Sequence, residues 1–319
     1  MNKQKYYDEI DALKGIAIFL VILGHSIIVY PIDLHQNALC ASIFDFISTV
    51  HMPLFFIISG YNYSYNGNYK EFIFKKIKRL LIPYFVFNLL EIIPRVLLSN
   101  YINSQIDIAQ FIKNMFLYGG NYWFIYVLFI YYLLLPFINS YIKKYSLAFV
   151  IVSIFLNIFN PGQELFTLNL VFRYLPFLAV GYALSIKYDV FENKIKSKAL
   201  LMLCTVISIA IWVSLFIFRD FISYSIYYLL VSFAGIISLY LITSIPFVVK
   251  LFKEIGKYSL PLYLLSGFAL VVSRTIICMF TENPFIIIMF NLIVDLLVPF
   301  FFIKYILIKN KVLKVLIGQ

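Results

Sequence analysis

The chain has 319 residues, 63% of them hydrophobic and only 13% charged. An ordinary soluble domain carries roughly 25% charged residues, so these apolar faces cannot all be hidden in one water-soluble core. The net charge of +11 would point to nucleic acid in a soluble protein, but here the basic residues are explained by where they stand along the chain.

Apolar stretches of about 17 to 25 residues recur from end to end, each long enough to cross roughly 30 Å of hydrocarbon as a helix. A membrane β-barrel would alternate polar and apolar residues; Ile16 to Leu23 is instead apolar without a break. The first stretch is too long for a signal-peptide core and lacks a small-residue cleavage site, so it reads as the first span. In chain order the windows fall at 12–30, 43–62, 80–99, 122–139, 145–160, 165–186, 199–218, 222–244, 258–279 and 284–308. The fifth is short, and the sixth contains Arg173 and Pro176. The expected fold is all-α: a polytopic transmembrane helical bundle of about ten spans, with 1–319 forming a single membrane-embedded domain and no extracytoplasmic catalytic domain.

Cytoplasmic connections retain Lys and Arg during insertion, and the ten windows sort these residues onto alternate sides. One side takes Lys3 and Lys5, the Lys70–Arg79 group, Lys143 and Lys144, Lys187 to Lys198, Lys250 to Lys257, and Lys304 to Lys314. The other takes Lys113 and Arg219. Both termini are therefore expected in the cytoplasm. Cys40, Cys204 and Cys278 stand singly, without the spacing of a zinc or redox motif, and no metal site is expected.

Ionisable residues inside spans cost about 2.5 to 3.5 kcal/mol each at mid-helix, so each marks an internal pair or a working site. Asp11, Lys14 and His25 fall on the first span and His51 on the second; His35 falls in the segment between them. From Lys14 to His25 is eleven residues, which at 100° and 1.5 Å per residue returns to nearly the same helical face after about 16.5 Å. Asp11 precedes Lys14 by three residues and is placed to pair with it. An anionic donor held at Lys14 could reach His25 with an extended arm, such as a pantetheine chain. Taken without further information, Lys14 reads more simply as a snorkelling residue at a helix end.

Pro53 removes a backbone donor beside His51 and is expected to open the helix there, next to an imidazole able to act as a base near neutral pH. Of the two histidines, His25 is the preferred base because it shares a face with Lys14. Glu91 and Arg95 form an i,i+4 pair that serves either mutual neutralisation or acceptor binding. Arg173, Arg274 and Asp295 are candidates for pairing between helices or for lining a cavity.

The run Asp11 to Ile18 followed by Gly24-His25 resembles the first span of the acyltransferase-3 family of membrane O-acyltransferases. His51-Met52-Pro53-Leu54-Phe55-Phe56-Ile57-Ile58-Ser59-Gly60-Tyr61 is close to that family's second-span pattern, and Arg79-Leu80-Leu81-Ile82-Pro83-Tyr84 stands at the usual start of the third. Asn121-Tyr122-Trp123-Phe124 and Pro176-Phe177 with Gly181-Tyr182 are also family-like. The resemblance implies transfer of an acyl group, usually acetyl from acetyl-CoA, to a hydroxyl of an extracytoplasmic or lipid-linked glycan. It implies a multi-pass protein of the plasma (bacterial inner) membrane, with acyl-CoA as donor substrate and no bound cofactor.

Within that resemblance Lys14, with Asp11, matches the donor-side basic element, and His25 and His51 match the essential histidines. Ser59, Tyr61, Glu91, Arg95, Asn121, Trp123 and Arg173 become candidate substrate contacts. Many relatives carry a histidine after a late Gly-x-x-Ser-x-x-x-Tyr run; here Gly256, Ser259 and Tyr263 lead to Ser266, which puts a third-histidine mechanism in doubt. The rival reading, from a different class, is a transporter or flippase for a glycan or lipid-linked precursor, although no repeat of paired broken helices is present. Acyl-CoA, a sugar acceptor and membrane lipid are the expected partners, with no nucleic acid; the oligomeric state is left open.

Overall fold

The computed structural model describes residues 8–28, 34–97, 107–186, 197–219 and 223–319. These form helices α1 (Asp8–Ile28), α2 (Ala38–Ser48), α3 (His51–Tyr61), α4 (Tyr69–Lys76), α5 (Ile82–Leu97), α6 (Ile108–Tyr118), α7 (Trp123–Lys144) and α8 (Ser146–Ile158). They continue as α9 (Leu168–Ile186), α10 (Lys198–Ile217), α11 (Tyr224–Ile242), α12 (Pro246–Lys257), α13 (Ser259–Ile277), α14 (Pro284–Tyr305) and α15 (Lys311–Leu316). The described residues contain no β-strand, and the protein is an all-α, polytopic membrane protein.

Among the described residues, eight helical segments are long and apolar enough to cross a bilayer. The remaining two windows correspond to α5, which continues from α4 through a π-helical turn at Ile77–Leu81, and to the 13-residue α8. A π-turn is an insertion within a helix and shifts the faces on either side of it. Lys3, Lys5, Lys187, Lys194 and Lys196, and the side chains of His35, Arg95 and Lys198, lie outside the described residues.

The chain divides into two units, 1–58 with 187–306 and 59–186 with 307–319. In the first, α1 packs along α12 and α13 and α14 form a pair. Gly15 and Gly256 explain how closely α1 and α12 approach. A Cβ on Gly15 would stand 2.1 Å from the Phe252 carbonyl oxygen, and one on Gly256 would stand 1.7 Å from that of Asp11. Bare backbones thus meet at both crossings, as small residues allow between membrane helices. Phe19 adds an edge-on contact to Phe252 at 5.8 Å, and Lys253 bonds Asp8 at 2.8 Å.

The apolar exterior is that of a protein solvated by lipid. On α10, Met202, Val206 and Ile217 are all more than half exposed. In the second unit the interior is largely aromatic: Tyr63 lies edge-on to Phe72 at 5.9 Å and parallel to Tyr132 at 6.1 Å. Gly60 there lets α3 meet the backbone of α9 at Leu178, where a Cβ would come within 2.0 Å of a carbonyl oxygen.

Candidate functional site

The second apolar window folds as two helices, α2 and α3, with the break at Thr49–Val50. Pro53 accounts for the break. It has no N–H to offer the carbonyl four residues earlier, that of Thr49, so the helical ladder lapses there. Ser232 of α11 takes over, donating its hydroxyl to the Thr49 carbonyl at 2.5 Å. Trp212 of α10 donates its indole N–H to Thr49 Oγ1 at 3.3 Å, and its ring stacks on Phe46 at 4.2 Å. The irregular backbone is therefore satisfied inside the protein, as an apolar solvent requires.

His51 begins α3 directly after this joint. Its Nδ1 lies 2.8 Å from the Ile47 carbonyl oxygen. A carbonyl only accepts, so Nδ1 is the protonated nitrogen and Nε2 carries the lone pair. His25, in the last two turns of α1, is close enough for its charge to act on His51. His25 and His51 are partly exposed while their neighbours Gly24, Ser26 and Met52 are buried.

At the other end of the unbroken α1, Lys14 Nζ bonds Asp11 Oδ1 at 3.3 Å. Asp11 is fully buried and the Lys14 side chain is 17% exposed, so the carboxylate holds the ammonium at the edge of the protein. The pair expected from the i,i+3 spacing forms. Beside it on α12, Glu254 and Lys257 bond at 2.5 Å; that bond holds the Glu254 carboxyl below its ordinary range and raises the Lys257 ammonium.

The other candidates lie in the second unit. Asn121 donates from Nδ2 to Glu91 Oε2, which brings an amide from another helix end to the carboxylate. Trp123 stacks on Tyr174 at 5.4 Å, and the Arg173 guanidinium lies 5.9 Å from that same Tyr174 ring. Arg173 also accepts from Asn157 through its backbone carbonyl at 2.8 Å. Ser59 accepts through its carbonyl from the Tyr132 hydroxyl at 3.3 Å, and Tyr61 closes α3, half-buried.

Two features escaped sequence reasoning. Lys76 reaches over the Tyr132 ring at 3.8 Å, and burial, with Arg79 as a smaller contribution, pushes its pKa down to about 8. Aromatic residues at helical spacing in α4 and α7 carried that signal only faintly. The other is the backbone contact of Arg274, a residue the sequence offered for pairing between helices or lining a cavity: it is fully buried on α13 and donates to the end of α1 that carries His25. Ser266, at the position of the relatives' late histidine, is a buried hydroxyl without a hydrogen-bond partner among the described residues. Among those residues no group of three His, Cys, Asp or Glu side chains is arranged to hold a metal ion.

In the first unit His51 follows a helical break, and His25 shares its helix with an ion pair, an arrangement suited to moving a proton; the carboxylate-amide and aromatic set belongs to the second unit. No curated protein and no solved structure matches the chain. The acyltransferase-3 family model, described as an acyltransferase domain, matches residues 7–305, from α1 through α14. With nearly the whole chain matched, this protein belongs to the acyltransferase-3 family and is a membrane acyltransferase.

Proposed function

We propose that the protein moves a short acyl group, acetyl above all, from cytoplasmic acyl-CoA to a hydroxyl of a cell-surface or lipid-linked glycan. In this reading it is a multi-pass protein of the plasma membrane with both termini in the cytoplasm. The observation that carries the reading is His25, within electrostatic reach of His51, on a helix that runs unbroken back to the Lys14–Asp11 ion pair. About 16.5 Å of helix separates Lys14 from His25, a span that an extended pantetheine arm covers.

In the proposed reaction Lys14 holds donor phosphate while the thioester lies near the histidines. The acceptor oxygen attacks the thioester carbon as an imidazole removes its proton. Collapse of the tetrahedral intermediate breaks the C–S bond, and the thiolate takes that proton and leaves as CoA thiol. The bond from His51 to Ile47 favours His51 as the base, because it fixes a lone pair on Nε2. The face shared with Lys14 favours His25. One ring removes the proton and the other orients the hydroxyl.

Glu91 with Asn121 and Trp123 with Tyr174 supply the groups that sugars need, hydrogen-bonding partners for hydroxyls and a flat ring for a sugar face. Ser59, Tyr61, Arg95 and Arg173 complete the proposed acceptor contacts. The test is purified protein in lipid nanodiscs with labelled acetyl-CoA and extracted glycan. Acceptor-dependent release of CoA thiol, with label appearing on the glycan, is the expected result. Absence of thiol release, together with loss of glycan export from cells lacking the protein, would replace the reading with a flippase.

A further inference from the structure

Among the described residues Arg274 is the largest fully buried side chain, and it lies inside a membrane-spanning helix. Its Nη2 donates to the backbone carbonyl of Ser26, the residue after His25. Ser26 belongs to the last turn of α1, where carbonyls point past the helix end and a cation is favoured. The Ser26 side chain is turned the other way, donating to Ile22 at 2.8 Å, so the contact with Arg274 is to backbone alone.

A buried carboxylate stands next door. The Ser273 hydroxyl lies 2.8 Å from Asp295 Oδ1 and 3.0 Å from Asn291 Oδ1, and its single proton goes to the carboxylate. Asn291 and Asp295 stand one turn apart on α14 and are both buried, and the charge on Arg274 acts on Asp295. Ile27, next to Ser26, packs with Leu34, Cys40, Ile287 and Ile288 into a hydrophobic core, and in such surroundings hydrogen bonds to charged groups are stronger than in water.

Arg274 grips the main chain at the turn carrying His25, while the joint before His51 is gripped separately by Ser232 and Trp212. We propose that Arg274 is a positioning residue for acyl transfer: it fixes the end of α1 so that His25 stands in register with His51, and Asp295, held by Ser273, is its counter-ion. The inference rests on the reading of His25 and His51 as the reacting pair.

The experiment compares purified wild type, Arg274→Gln, Arg274→Lys and the charge-neutral double variant Arg274→Gln/Asp295→Asn in nanodiscs. The double variant leaves no buried charge unpaired and so remains a folded test even if Arg274→Gln does not insert. For each, the folded fraction is isolated by size-exclusion chromatography, and kcat and the KM for acetyl-CoA are measured. Displacement of a reacting group by about 1 Å costs on the order of 10²-fold in rate. Arg274→Gln and the double variant should therefore lose about 100-fold in kcat with KM within about twofold, and Arg274→Lys should recover at least about tenfold of the loss. Wild-type kcat in the folded double variant, or equal losses in the Gln and Lys variants, would overturn the proposal. If wild type itself consumes no acetyl-CoA with any acceptor, the functional reading fails first and the inference falls with it.

Discussion

Alanine at Gly256 tests whether α1 is held where the donor would bind. The new Cβ would lie 1.7 Å from the Asp11 carbonyl oxygen, 2.7 Å from its carbon and 2.8 Å from the Gly15 nitrogen. These are backbone atoms, so no rotamer change relieves the overlap, and ordinary contact near 3.4 Å requires the helices to separate by more than about 1 Å. Overpacking of this kind costs about 1 to 3 kcal/mol, and the displacement falls on the turn that carries Asp11 and Lys14. Gly267 is the control, since it is helical and its Cβ would meet nothing within 4 Å. Gly256→Ala should lower the melting temperature in detergent and raise the KM for acetyl-CoA, on the order of tenfold for each 1.4 kcal/mol of donor binding lost. Gly267→Ala should do neither. Lys14→Ala should reproduce the KM effect without the thermal one, with Lys14→Arg partly restoring affinity by keeping the cation. A Gly256→Ala protein with wild-type melting and wild-type KM would refute the argument that this crossing sets the donor end.

Three further outcomes follow from other parts of the structure. Ser232→Ala strands the Thr49 carbonyl that Pro53 leaves without a partner, so it should cost about 1 to 3 kcal/mol of stability and lower kcat, whereas the same change at Ser225, on the first turn of α11, should do little. Lys76 titrates near 8 in the folded protein against 10.5 for its ordinary value, so the unfolded chain binds more protons between these limits; stability should rise with pH across that window, and Lys76→Met should abolish the rise in a pH series of thermal melts. In a cysteine-free background, a cysteine at Gln163 should react with an impermeant reagent in intact cells and one at Asn66 should not, and the reverse pattern would invert the topology.

Chain-wide hydropathy made the spans legible, because twenty apolar residues in a row have few alternatives to a buried or lipid-facing helix. Short helices were hidden. α6 and α12, with 11 and 12 residues, lie within segments read as connections, since Lys113 and the three lysines of α12 read as loop charges. The Asp11–Lys14 pair was legible because both ends lie within one helical turn. Glu91 accepts from Asn121, thirty residues away, a contact that only the tertiary structure creates. Likewise Pro53 announced a break beside His51, while Ser232 and Trp212, which make that break tolerable, come from helices far along the chain. Sequence spacing favoured His25 as the base; the hydrogen bond to Ile47 adds a reason for His51 that no spacing could supply.

The central claim is that the two histidines perform acyl transfer to a glycan. It is tested most directly by mass spectrometry of the surface glycan from cells making His25→Ala or His51→Ala protein, with membrane levels matched to wild type. The account predicts that the acyl mass increment disappears in both while the glycan is still exported, and that Asn or Gln restores it only at the ring that orients the hydroxyl. Full acylation in both alanine variants would contradict it.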